Sequence, residues 1–160
     1  MKNKKKIFFS FLVVIVFFFV GFFLINNFSK NSLPQIPSNI KSVQIGGQTV
    51  KVDLALTEAE QQQGLSGRSS LTPNTGMLFV FDQPSRQLFW MPDMNFSIDM
   101  IWITPDMKVD YIEKDATPAS YPAEFGPGAN DGMAQYVLEV PVGFADQNNL
   151  QVGDSVQFVY

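Results

Sequence analysis

Residues 43–60, Val43-Gln44-Ile45-Gly46-Gly47-Gln48-Thr49-Val50-Lys51-Val52-Asp53-Leu54-Ala55-Leu56-Thr57-Glu58-Ala59-Glu60, decide the fold class. Val50, Val52, Leu54 and Leu56 alternate with other residues at the period of a strand, and a second short apolar run, Val43 and Ile45, lies across Gly46-Gly47. Two such runs joined by a Gly-Gly pair predict a β-hairpin. Thr57 and Glu60 then have the spacing of a capping box, which starts a helix. Gly64 and Gly67 follow closely and keep that helix short.

Beyond the helix the chain continues as short apolar runs separated by turn residues. Strands are predicted at 77–81, 87–91, 98–103, 109–114, 135–140 and 155–159. The separators, Asp82-Gln83-Pro84, Pro92-Asp93, Thr104-Pro105-Asp106 and Gly153-Asp154, carry residues that fix φ, tolerate unusual φ or lack an amide donor. Short strands at this spacing with one short helix predict an all-β domain, a small barrel or sandwich, over residues 43–160. Five blocks within it, GLSGRSSL at 64–71, GMLFVF at 76–81, FWMPDMNFSIDMIWI at 89–103, YVLEVPVGFA at 136–145 and GDSVQF at 153–158, occur in that order. Together they resemble the bacterial and archaeal family called domain of unknown function 192. The resemblance implies a small β-rich fold, often exported or tethered to a membrane, with no established activity. The chain departs from many relatives at Pro92, where they carry Lys or Arg, and at Ser97, where they carry Pro. A basic contact beside Trp90 is therefore not carried over.

The residues before this domain differ sharply in composition. Residues 1–30 hold five lysines, no acid and nine of the sixteen phenylalanines, whereas residues 31–160 hold six basic and fifteen acidic residues, a net of −9. From Ile7 to Ile25 nineteen residues, IFFSFLVVIVFFFVGFFLI, run without a charge. As a helix this run is ~28 Å long, close to the ~30 Å hydrocarbon core of a bilayer. Four lysines precede it and only Lys30 follows closely, so the positive-inside bias predicts a cytoplasmic tail at 1–6, a transmembrane anchor at 7–25 and an extracytoplasmic remainder. The rival reading is a cleaved signal peptide, but the apolar run is long for one and no A-x-A pattern follows it. Residues 26–42, with Pro34 and Pro37 and no periodicity, read as a flexible linker reaching at most about 60 Å.

No cysteine and no histidine occur in the 160 residues. That excludes disulfides, thiolate nucleophiles, iron–sulfur clusters, histidine triads and most transition-metal ligand sets. Neither a P-loop, a dinucleotide fingerprint, an EF-hand loop nor a G-x-S-x-G elbow is present, and no cofactor is implied. A head of net charge −9 repels phosphates, which argues against nucleic acid as a partner.

Carboxylates and aromatics remain. Asp99 lies in Ser97-Ile98-Asp99-Met100-Ile101-Trp102-Ile103 and Glu139 in Tyr136-Val137-Leu138-Glu139-Val140, both strongly apolar strands. A buried carboxylate needs a partner or a proton. Arg68, one of two arginines in the domain, is the expected partner of Asp99, or of Glu139. As a pair, Asp99 and Glu139 are the candidate acid and base of an alternative reading, a glycan hydrolase that uses carboxylates alone. Phe89, Trp90, Phe96 and Trp102 form a candidate stacking platform for a sugar or a peptide, to which the irregular 115–133 segment adds Tyr121, Glu124 and Phe125. Met91 and Met94, spaced M-x-x-M, are the weak candidates for a soft metal such as Cu(I), against which stands ordinary core packing. The reading that emerges is a non-catalytic module that binds an envelope glycan, peptide or protein through Arg68, Trp90, Asp99, Trp102 and Tyr121. The alternatives are the hydrolase and a purely structural domain.

Overall fold

Gly46 and Gly47 adopt φ of 56° and 74°, the left-handed region that a two-residue hairpin turn demands and that glycine enters without steric cost. The computed structural model, which describes residues 38–128 and 132–160, therefore opens on the expected hairpin. Strand β1 (Ser42–Ile45) pairs antiparallel with β2 (Gln48–Ala55), Ile45 opposite Gln48. The segment assigned to the linker ends earlier than its composition suggests. Ile40 is buried, and Lys41 donates its amide to the Val159 carbonyl at 2.8 Å, so both belong to the folded domain. The anchor at 7–25 lies outside the described residues. Among the described residues no helix is long and apolar enough to cross a membrane.

The capping box forms as read. The Thr57 hydroxyl accepts the Glu60 amide at 3.3 Å, and Glu60 Oε2 accepts the Thr57 amide at 2.8 Å, starting helix α1 (Glu58–Gln63). After it come β3 (Thr75–Ser85), β4 (Ile98–Ile103), β5 (Val109–Ala116), a 3-10 turn at Pro118–Ser120, β6 (Ala134–Pro141), helix α2 (Phe144–Gln147) and β7 (Gln157–Val159). Among the described residues, all seven strands join one sheet in the order β5-β4-β6-β3-β2-β1-β7, antiparallel except between β2 and β3. Its two edges approach each other. Val109 donates to the Asp154 carbonyl at 2.9 Å, Gly153 to the Val109 carbonyl at 2.8 Å and Val156 to the Met107 carbonyl at 2.9 Å. The result is a half-barrel, the all-β class that the strand spacing predicts.

Two expectations are corrected. Residues 87–91 alternate correctly, with Leu88 and Trp90 exposed and Met91 buried, yet they form no ladder. Only Phe89 is bridged, exchanging hydrogen bonds with Phe125 at 2.9 and 2.7 Å, because the segment crosses the outside of the sheet instead of extending its edge. A second helix, α2, also appears where none was expected.

Strands β3, β4 and β6 are covered on both faces. The inner face carries Leu78, Val80, Ile101, Ile103, Leu138 and Val140, which pack with Val109 and Val156 from the two sheet edges. The outer face carries Met77, Phe79, Met100, Trp102 and Val137, covered by Leu65, Met91, Phe89 and Phe96. All six residues of β4 are consequently buried. A ring cluster holds this cover down: Phe89 meets Phe79 edge-on at 4.8 Å and Trp102 at 5.7 Å, and Trp102 meets Tyr111 at 5.2 Å. At Gly76 the sheet is too close for a side chain, since a Cβ there would stand 2.4 Å from the Glu139 carbonyl oxygen.

Candidate functional site

The two strand carboxylates occupy opposite faces. Asp99 follows the parity of Ile101 and Ile103 and points inward, 1 % exposed. Its pairing with Arg68 is not formed. Instead Asp99 Oδ1 accepts the Asp115 amide at 3.0 Å and Oδ2 accepts the Ala145 amide at 2.9 Å. Both donors lie where the ladder or helix supplies no partner. Asp115, with φ of 51°, sits in the bulge where the β4–β5 register slips between Ile98 and Met100. Ala145 is in the first turn of α2, whose N-cap, Gly143, offers no side chain. Asp99 thus caps a helix from a neighbouring strand and closes a bulge. Acting with Glu139 as an acid–base pair is ruled out by this placement, since the sheet itself stands between them.

Glu139 faces outward. Its cross-strand neighbours are Met77 on β3 and Met100 on β4, so a carboxyl sits between two thioether side chains in one row. The row extends to Asp53 on β2, opposite Met77, and to Glu113 on β5, opposite Met100. Glu139 is 5 % exposed, and its buried Oε2 has no hydrogen-bond partner. Burial raises its pKa from 4.5 to about 8, although the Arg68 charge pulls the other way. At neutral pH the group is therefore mainly a neutral carboxylic acid, able to donate one hydrogen bond.

Above Glu139 opens a cleft of about 590 Å³. Helix α1 rims one side with Glu58, Gln61, Gln62 and Gln63, and Gln61 is anchored by donating Nε2 to the Val80 carbonyl at 2.9 Å. Phe79, Phe81 and Phe89 contribute apolar walls, and Trp90 and Tyr121, each 55 % exposed, stand at the mouth. Two loops are stitched together beside it. Ser66 Oγ donates to the Pro92 carbonyl at 2.8 Å, Gly67 donates its amide to the Asp93 carbonyl at 3.0 Å, and Asn95 Nδ2 donates to the Arg68 carbonyl at 2.9 Å. These bonds join the 64–71 and 89–103 sequence blocks.

Of the residues nominated from sequence, Phe89, Trp90, Tyr121, Glu139 and Met94 converge on this cleft. Arg68 does not line it. Its Nη1 bonds Asp53 Oδ2 at 2.8 Å in a neighbouring groove, and only its field reaches Glu139. Trp102 is fully buried and donates Nε1 to the Gln87 carbonyl at 2.8 Å, so it supports the cleft from beneath and offers no stacking surface. Met91 is shut into the outer-face core while Met94 lines the cleft. Phe96 packs on that core as well, and Phe125 holds Phe89. Glu124 is exposed and does not line the cleft. Among the described residues no group of three His, Cys, Asp or Glu side chains is placed to hold a metal ion. Sequence reasoning missed the α1 glutamines and Phe79, Phe81 and Asp93. The available signal was the unbroken apolar run 77–81, which marks a strand covered on both faces and hence an outer layer that something must line.

Residues 41–158 match the family model of the uncharacterised ACR proteins, DUF192, and the chain belongs to that family. Several solved structures are similar to it, two of which follow. One, from Novosphingobium aromaticivorans DSM 12444 and of unknown function, is 28% identical with a TM-score of 0.67, covering 80% of this chain and 94% of that one. The other, from Sinorhizobium meliloti 1021 and described as a candidate transcription regulator, is 29% identical with a TM-score of 0.64, covering 69% of this chain and 83% of that one. Among curated proteins nothing matches.

Proposed function

We propose that the chain displays a non-catalytic glycan-binding domain outside the cytoplasm, tethered to the membrane through residues 7–25. One observation carries the binding assignment: two half-exposed aromatic side chains, Trp90 and Tyr121, stand at the mouth of a single cleft rimmed by the amides of Gln62 and Gln63. Aromatic faces take up the apolar faces of sugars, and side-chain amides meet their hydroxyls. A transcription-regulator role, as described for the Sinorhizobium relative, finds no support in a head with six basic and fifteen acidic residues. The tether rests on the uncharged run and the lysines before it.

The test is a fluorescence titration of the full chain in nanodiscs with envelope-type oligosaccharides. Of the two tryptophans only Trp90 is exposed, so a saturable signal lost in Trp90→Phe and weakened in Tyr121→Ala supports the reading. Absence of binding by calorimetry in a folded sample refutes it. Protease added to intact cells removes the domain if the topology is as proposed and spares it if the domain is cytoplasmic.

A further inference from the structure

We infer that the floor of the cleft selects sugars bearing an acetamido group, with the acetamido carbonyl accepting a hydrogen bond from the Glu139 carboxyl and the methyl packing among the surrounding thioethers and rings. This rests on the glycan reading above and specifies its ligand.

The floor is chemically unusual. Glu139 Oε2 is buried without a hydrogen-bond partner, which is costly, and the little surface the residue does expose lies in the cleft. Its neighbours in the row, Met77 and Met100, offer no hydrogen-bond donor of note and no charge, and Phe79, Phe89 and Met94 line the cleft beside it. With no charge or donor beside it, burial keeps the carboxyl neutral and its hydroxyl is the donor a ligand meets, so the complementary ligand group presents an acceptor together with a small apolar surface. A hydroxyl supplies the acceptor, but its own proton and hydration fit poorly in such a setting. An ammonium would need Glu139 ionised, which burial opposes. An acetamido group supplies a carbonyl oxygen and a methyl on adjoining atoms.

The titratable and charged groups around Glu139 are Arg68 from the 64–71 loop, Asp53 on β2 and Glu113 on β5 in its row, and Glu58, Asp93 and Tyr121 along the cleft. Arg68 is bonded to Asp53, and Glu113 accepts the Tyr111 hydroxyl at 2.7 Å. Glu58, Asp93 and Tyr121 are exposed, whereas Glu139 is buried at the floor, where its ionisation changes a donor into an acceptor.

The experiment measures dissociation constants of the full chain in nanodiscs for N,N′-diacetylchitobiose, chitobiose and cellobiose, at pH 6.5 and pH 9. At the lower pH the acetylated disaccharide should bind at least about tenfold more tightly than the other two, the scale set by one matched apolar group and hydrogen bond. At pH 9 that preference should shrink in the wild type and persist in Glu139→Gln, whose amide still donates. Equal affinity for the three sugars overturns the inference and leaves the glycan reading standing. Tighter binding of chitobiose overturns it in favour of an ionised floor. No binding of any sugar by folded protein removes both.

Discussion

Asp99 and Glu139 look alike in the sequence, each a lone acid in an apolar strand, and the fold treats them oppositely. On the inner face Asp99 accepts two backbone amides that the bulge at Asp115 and the uncapped α2 leave free. On the outer face Glu139 lies between Met77 and Met100 at the floor of a cleft, its buried Oε2 lacking a hydrogen-bond partner. A carboxylate that completes backbone hydrogen bonding belongs to the architecture. One that is left incomplete beside a cavity is a candidate for recognition. Burial alone does not separate the two cases; the donors within reach do.

The contrast breaks most readily at Asp99. Asp99→Ala strands the buried Ala145 amide and the part-buried Asp115 amide and leaves a void, and it should cost about 3–5 kcal/mol in denaturant unfolding. A loss below about 1 kcal/mol would mean that water or a shifted backbone takes over the bonds, and the structural assignment would fail.

Glu139 should behave in the opposite sense. Its folded-state pKa is raised, so the native protein keeps a proton that the unfolded chain releases. Its contribution to stability is therefore greatest at low pH and declines as pH rises from 4.5 to about 8. Glu139→Gln should flatten that slope and be the more stable protein at pH 9, by on the order of a few kcal/mol. Parallel slopes in the two proteins would show that Glu139 titrates normally.

Smaller effects sharpen the comparison. Arg68→Ala removes a solvent-exposed pair with Asp53, 2.8 Å long, and should cost no more than about 1 kcal/mol while raising the Glu139 pKa further, since the Arg68 charge lowers it. Trp90→Ala, at the cleft mouth, should change stability by less than about 0.5 kcal/mol and abolish glycan binding. Loss of stability without loss of binding would return Trp90 to the core.

Much of the architecture was legible because it is local. The Gly46-Gly47 turn, the Thr57–Glu60 capping box and the bounds of β4 each depend on residues a few positions apart. What escaped is long-range. Helix α2 has no cap of its own, and its acceptor, Asp99, lies 46 positions away in the chain. Residues 87–91 have strand parity but meet a single bridge partner, Phe125, which sequence order does not reveal. The cleft was half legible. Trp90, Tyr121 and Glu139 were named, while Arg68, Asp99 and Trp102 were nominated with them, because strands buried on both faces give no alternation by which to assign a face.

The protonation of Glu139 in the folded protein tests the central claim most directly. Carboxyl carbon-13 shifts of glutamate-labelled protein, with the Glu139 signal assigned by its absence in Glu139→Gln, should titrate with a midpoint near 8 and show the neutral acid at pH 6.5. A midpoint near 4.5, the ordinary value, would show an ionised, solvated carboxylate and contradict the account of the cleft floor.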